Sequence, residues 1–284
     1  MTWTLAIGER SYSSWSLRGW LLFDAFGLPV QTVMAPMQTE EFARALEGFA
    51  PARTVPAALL GDSVVWDSLA LAEELASRHP EAGHWPTDPA DRAAARSMVA
   101  EMHSGFAALR SHCAMNLRTA YRDVPVPAAV QADLDRIEAL WARADGWLFG
   151  AYSAADTFFA PVAMRIAGHG LAVGPVARAY VARHLAHPSL RRWRATGLAV
   201  DPVLDRYRRD WPEAPWPGPA SLPARAVAQG PAENQLCPYS GQPVEHMLEL
   251  EGRRWGFCNP GCRDKTVNDP EAWPAFMAMV QGRG

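Results

Sequence analysis

The sequence predicts an α/β unit, then an all-helical segment, then a proline-rich linker and a small cysteine-containing α+β tail. Three observations carry that prediction. Short apolar runs bounded by turn residues alternate with helical stretches over residues 1–80. Apolar residues then recur at steps of three and four over residues 85–205. Three of the four cysteines fall beyond a run of prolines, after residue 235.

Composition bounds the rest. A chain of 284 residues with 49% hydrophobic and 20% charged residues has room for more than one domain and a sizeable core. A formal net charge of -3 argues against a nucleic-acid partner held by bulk charge. No run of 18 apolar residues is present, so no membrane span is expected. The first residues enter a strand without a basic stretch, so a signal peptide is not expected and the location expected is cytoplasmic. Lys265 is the single lysine, so a carboxylate clamp in the first 260 residues must use Arg, Trp, His or backbone N–H.

The α/β unit opens on Trp3-Thr4-Leu5-Ala6-Ile7, which reads as a strand. Ser11, Ser13, Ser14 and Ser16 crowd the junction to a helix spanning Leu17 to Phe26 and closed by Gly27. Serine is a preferred N-cap, and a helix N-terminus offers free N–H groups and partial positive charge. These serines either only cap the helix or help to hold an anion such as a thiolate. Strands follow at residues 29–34, 54–60 and 63–66, with Gly61-Asp62 as a hairpin turn. Asp67-Ser68 then opens a helix. Pro56 stands at a strand edge, where a missing donor is tolerated and a cis bond is an option.

In the helical segment, Val99, Met102, Phe106, Leu109 and Cys113 form one core-facing stripe, which makes Cys113 a core residue. His103 and Arg110 lie beside the stripe, either edging a cleft or on the surface. Val130, Leu134, Ile137, Leu140 and Trp141 mark a second helix. Ser153-Ala154-Ala155-Asp156 is close to a capping box and starts an apolar helix over residues 157–166. Pro161 inside it predicts a kink or an irregular turn. Six prolines between 212 and 231 make residues 206–235 an extended linker, with Trp211 and Trp216 as pins.

Ser13-Ser14-Trp15-Ser16-Leu17-Arg18, Val55-Pro56, Asp67-Ser68 and Ser153-Ala154-Ala155-Asp156, in this order, resemble the cytosolic glutathione S-transferases over residues 1–205. The serine-rich start is most similar to the zeta-like and related bacterial branches. The resemblance implies a thioredoxin-like domain over residues 1–80, an all-α domain over 85–205, and a homodimer. It implies that Ser13 or Ser14 donates a hydrogen bond to the glutathione sulfur. It further implies that Trp15, Arg53, Val55, Pro56, Asp67 and Ser68 bind glutathione, with the Val55 backbone on the cysteinyl backbone and Asp67 and Ser68 on the γ-glutamyl end. Trp15 stands where zeta enzymes carry Cys, which weakens maleylacetoacetate isomerisation as the activity. Arg53-Thr54 replaces the usual Gly-Lys or Gly-Arg.

The tail carries Cys237-Pro238-Tyr239-Ser240-Gly241 and then Cys258-Asn259-Pro260-Gly261-Cys262. The tail domain spans residues 236–284, and over residues 236–278 it resembles the small YHS and TRASH metal-binding modules. That resemblance implies a metal on Cys237, Cys258 and Cys262, with zinc expected and copper(I) also suited to thiolates. Ser240 stands where relatives carry another Cys; His246, an acidic side chain or water is then left for the fourth position. The alternatives are a module kept for packing, or a Cys258–Cys262 disulfide.

Two functions of different class follow. One is an enzyme that activates the glutathione thiol for attack on an electrophilic small molecule, or, as variants, isomerises maleylacetoacetate or reduces peroxides. The other is a non-catalytic protein of the same fold that binds a metal or partner through its tail.

Overall fold

The computed structural model describes residues 2–282. The chain forms two compact units, residues 1–185 with 204–217, and residues 186–203 with 218–284.

In the first unit, β1 (Trp3–Ile7) is buried along almost its whole length. It pairs parallel with β2 (Val30–Met34), and α1 (Ser14–Asp24) makes the crossover between them. A short helix, α2 (Glu41–Ala45), follows, too brief to show a period in the sequence. Strand β3 (Ala57–Leu60) runs antiparallel to β1, and β4 (Ser63–Trp66) returns beside it, giving the order β2-β1-β3-β4. Gly61 makes the hairpin turn with φ +58. Helix α3 (Ser68–Arg78) is capped by Asp67, whose side chain accepts from Leu69 N. Helices α1 and α3 pack together beside the sheet, with Leu17, Leu21, Leu22, Leu71 and Leu75 buried. Gly19 lets α1 approach the turn before β3, since a Cβ there would lie 2.6 Å from Pro56 Cβ.

The expected continuous stripe is divided between two helices. Helix α4 (Pro89–Ser104) ends at Gly105, Phe106 takes φ +57, and α5 (Ala107–His112) starts anew. Val99, Met102, Phe106, Leu109 and Cys113 are nevertheless all buried. The break redirects the chain without losing its apolar face. A short strand, β5 (Ala120–Tyr121), precedes α6 (Ala128–Trp141). Helix α7 (Ala154–Gly168) starts with the capping box of Ser153 and Asp156. The Asp156 carboxylate also accepts from Leu148 N and from Tyr180 Oη at 2.8 Å, on α8 (Pro175–Ala186). Helix α7 remains continuous through Pro161, and no irregular turn interrupts it.

Residues 204–217 return to this first unit. Trp211 packs against His112, Tyr121 and His169, so it acts as the expected pin.

The second unit begins with α9 (Pro188–Val200), counted with the all-helical segment in the sequence reading. In the stretch read as linker, β6 (Glu213–Ala214) pairs with β5 in the first unit, and β7 (Ala224–Val227) joins the tail sheet. There β7, β8 (His246–Leu250) and β9 (Arg253–Phe257) form an antiparallel meander. Helix α10 (Pro260–Asn268) packs on α9 and on this sheet, and α11 (Pro274–Val280) follows. Arg191 holds Asp269 with two bonds, of 2.6 and 2.8 Å. Leu248, Leu250, Trp255, Phe257 and Phe276 form a core with Cys237 at its edge, and Trp273 packs against it half-buried.

Candidate functional site

The strand-to-helix junction after β1 places the serines. Ser13 is the N-cap of α1; its Oγ accepts from Ser16 N and lies 2.7 Å from Ser16 Oγ. Ser16 Oγ also accepts from Gly8 N at 2.9 Å. The sequence placed the helix start at Leu17; it begins at Ser14, because Ser13 and Ser16 together satisfy the first turn. Ser13 lines a cavity of about 610 Å³ with Trp15, Met37, Gln38, Phe42, Thr54, Val55 and Asp67. Ser14, one residue on, instead accepts from Arg165 at 3.3 Å.

Of the residues named from sequence, the cavity brings together Ser13, Trp15, Val55 and Asp67. Pro56 is buried, and the Val55–Pro56 bond is cis. Ser68 is fully buried at the first turn of α3, and its hydroxyl has no partner. Arg53 is exposed and lines a neighbouring cavity with Phe42, Leu46 and Ala52. Asp67 has φ +73, an unusual conformation for a residue with a side chain. Its second carboxylate oxygen lies 3.5 Å from His103 Nε2.

Sequence reasoning missed the wall behind Trp15. Arg18, one helical turn on, stacks on the Trp15 ring at 4.0 Å and is almost fully buried. Burial, and then the Arg110 charge, bring its guanidinium down to about 9. Arg165 is buried as well and lowered to about 10, by desolvation first and by Arg110 second. Each is a lone charge in an apolar helical run, and that was the available signal. His103 and Arg110, named beside the stripe, stand at the edge of this same site. Cys113 is core, and burial pushes its thiol up to about 11.

The tail gathers Cys237, Cys258 and Cys262, whose sulfurs lie within 4.8 Å of one another. Asn259 caps α10 by accepting from Cys262 N, which points Cys262 back at Cys258, 3.9 Å away. Burial raises the Cys237 thiol, but N–H groups of Cys258, Tyr239 and Ser240, with the Ser240 hydroxyl, outweigh it and bring it to about 7. Ser240 Oγ is 3.1 Å from Cys258 Sγ. His246 is not in this group. All four cysteines are free thiols.

Residues 12–78 match the family model for the glutathione S-transferase N-terminal domain. No curated protein matches the chain in sequence. Among solved structures, the chain is similar to a glutathione transferase homologue from Burkholderia with bound glutathione. That likeness has 23% identity and a TM-score of 0.55, over 70% of this chain and 99% of that one. A homologue from Sulfitobacter with bound glutathione matches at 24% identity and a TM-score of 0.54, over 66% of this chain and 95% of that one. Glutathione transferase Omega 3C from Trametes versicolor matches at 20% and 0.54, over 68% and 88%. The fold is thus a thioredoxin-like N-terminal domain followed by a helical domain, as in glutathione transferases. Among the described residues, no helix is long and apolar enough to cross a membrane.

Proposed function

We propose that this chain is a glutathione transferase, with Ser13 as hydrogen-bond donor to the glutathione sulfur. The observation that carries the reading is the shared cavity of Ser13, Val55 and Asp67. It joins a hydroxyl at a helix N-cap to a backbone edge and to the start of a second helix. A free thiol has a pKa of about 8.5, and lowering it by about two units takes about 2.7 kcal/mol. A charge-assisted hydroxyl bond and the α1 N-terminus supply energies of that order. Val55 pairs with the cysteinyl backbone, Asp67 and Ser68 take the γ-glutamyl end, and Arg53 meets the glycyl carboxylate by a swing of its exposed side chain. The thiolate then attacks an electrophilic small molecule, and the protein works as a homodimer. Conjugation of glutathione to an aryl halide, with ultraviolet titration of the bound thiol, tests the reading. Absence of both turnover and a depressed thiol pKa would sink it.

A second reading concerns the tail, where three converging sulfurs favour a metal module of the YHS/TRASH type. The donor set fits zinc or copper(I): three thiols, with N–H groups already directed at Cys237. Cys237, Cys258 and Cys262 would hold the ion, which would cross-link the strand turn to α10. Metal analysis of reduced, purified protein tests this. A stoichiometry near zero with three freely titrating thiols leaves a packing module.

A further inference from the structure

Two buried cations stand behind Trp15 without an anion. Arg18 is 1% exposed and Arg165 5%. Arg18 lies 4.0 Å from the Trp15 ring centre, 4.9 Å from that of Phe158, and 3.5 Å from Met102 Sδ. Arg165 donates to Pro161 O at 3.2 Å and to Ser14 Oγ at 3.3 Å. The Nε of each has no partner. Arg110 lies 5.2 Å from the Trp15 ring centre and gives one N–H group to the carbonyls of His103 and Gly105. The His103 ring is 5.0 Å from that of Trp15. Among the described residues, Asp67 is the carboxylate that faces this cluster, and it already accepts from Leu69 N and lies against His103. Asp133 is taken up by the N–H of Leu109, next to Arg110 in the chain. Among the described residues, none of the three arginines makes an ion pair.

Buried guanidinium groups are ordinarily paired, because removing the charge from water is costly. Here the ring faces and a sulfur replace the anion. The charge converges on Ser14 and Trp15, both half-buried, at the start of α1. None of Arg18, Arg110 and Arg165 lines the cavity of Ser13, Val55 and Asp67. Anionic groups held in that cavity therefore leave the cluster unneutralised. Trp15 and Asp67 belong to both places, and the Asp67 carboxylate is already engaged by Leu69 N and His103.

We infer that the second substrate brings the missing anion: the electrophile is a carboxylic acid, whose carboxylate docks on Arg110 beside Trp15, with Arg18 and Arg165 behind. This rests on the transferase reading above. A planar carboxylate matches the guanidinium fork, and Trp15 offers a face to a flat conjugated acid. Ser14, whose oxygen accepts from Arg165, can turn its O–H toward the same carboxylate.

The test compares two aryl chlorides on the full chain with saturating glutathione: 4-chloro-3,5-dinitrobenzoate and the uncharged 1-chloro-2,4-dinitrobenzene. In both, the C–S bond forms as chloride leaves. Each rate is divided by that of glutathione alone. The expected result is a normalised kcat/KM about tenfold higher for the benzoate, carried by KM. Arg110→Gln should erase most of that preference, and Arg110→Lys should retain part of it. Calorimetric binding of unreactive 3,5-dinitrobenzoate is measured alongside, at low and high salt; binding should weaken as salt rises. Conjugation without a benzoate preference, or with one that both Arg110 variants keep, overturns the anion site and leaves the transferase reading. Dinitrobenzoate binding that Arg110→Gln abolishes, with neither conjugation nor a depressed thiol pKa, keeps the anion site and sinks the transferase reading. If neither is seen, both fall. If Arg110→Gln does not fold, the Lys variant and the salt dependence decide.

Discussion

Ser13 has two tasks, and its replacement should separate them. As N-cap it accepts from Ser16 N, so Ser13→Ala should cost about 1 kcal/mol of stability by denaturant titration. As thiol donor its loss should raise the bound glutathione pKa by about one unit or more and slow turnover. Ser14→Ala leaves the cap intact, and its effect on the thiol should be smaller. If Ser13→Ala keeps the wild-type thiol pKa, the serine assignment fails. His169 offers an independent test at the same scale. Burial lowers it to about 4; the Arg165 carbonyl partly opposes this, and the Arg165 charge adds to it. In the unfolded chain it titrates near 6.5. As pH falls below that value the unfolded state binds a proton that the folded state refuses. Stability should therefore be full above pH 6.5 and fall toward pH 4, by up to about 3 kcal/mol from this residue. Urea titrations at several pH values should show the slope, and His169→Asn should flatten it. An unchanged slope in the variant would place the pH dependence elsewhere.

At the scale of elements, the segment after 205 behaves differently from a linker. Its strands close two sheets, and α9 packs on α10. A chain ended near residue 210 should then lose β6 and Trp211 from the first unit and strip α9 of its partner. Leu190 and Trp193 on α9 are buried in the intact chain. The truncated product should show lower thermal stability and self-association by circular dichroism and sedimentation. A well-behaved dimer of wild-type stability would restore residue 206 as the boundary. This difference marks what the sequence could not convey. Strands, caps and stripes depend on neighbours within a few residues, and so β1, the Asp67 cap and the Ser153–Asp156 box were legible. The break at Phe106 was not, because a stripe of steps three and four survives a kink that keeps its face buried. The partner of α9 was not legible either, since the bond that ties it down joins Arg191 to Asp269, 78 residues away. At the site, Ser13, Val55 and Asp67 were read from their order along the chain. Arg18 and Arg165 were passed over because a charge in an apolar helix declares its burial only once its neighbours are known.

At the scale of the whole molecule, two units with separate cores should respond separately to a metal. The core of the second unit is small, with Leu248, Leu250, Trp255, Phe257 and Phe276 at its centre. Small cores of this kind are usually helped by a staple. Cys237 comes from the turn before β8, while Cys258 and Cys262 flank the start of α10, so an ion on the three sulfurs would tie sheet to helix. Metal bound to the folded form alone adds stability by mass action, about 2.7 kcal/mol at a hundredfold excess over Kd. The first unit contributes only Cys113, which is buried with a raised thiol, and has no share in that linkage. Heating the reduced protein should thus give two transitions. Zinc should raise one of them and a chelator should lower it, while the other, reported by glutathione binding, should stay within a degree or two. Cys262→Ser should make the first transition indifferent to both additions. A single transition that zinc and chelator leave unmoved would remove the metal from the tail and leave its cysteines to packing alone. A single transition that zinc raises and a chelator lowers would instead show that the units unfold as one.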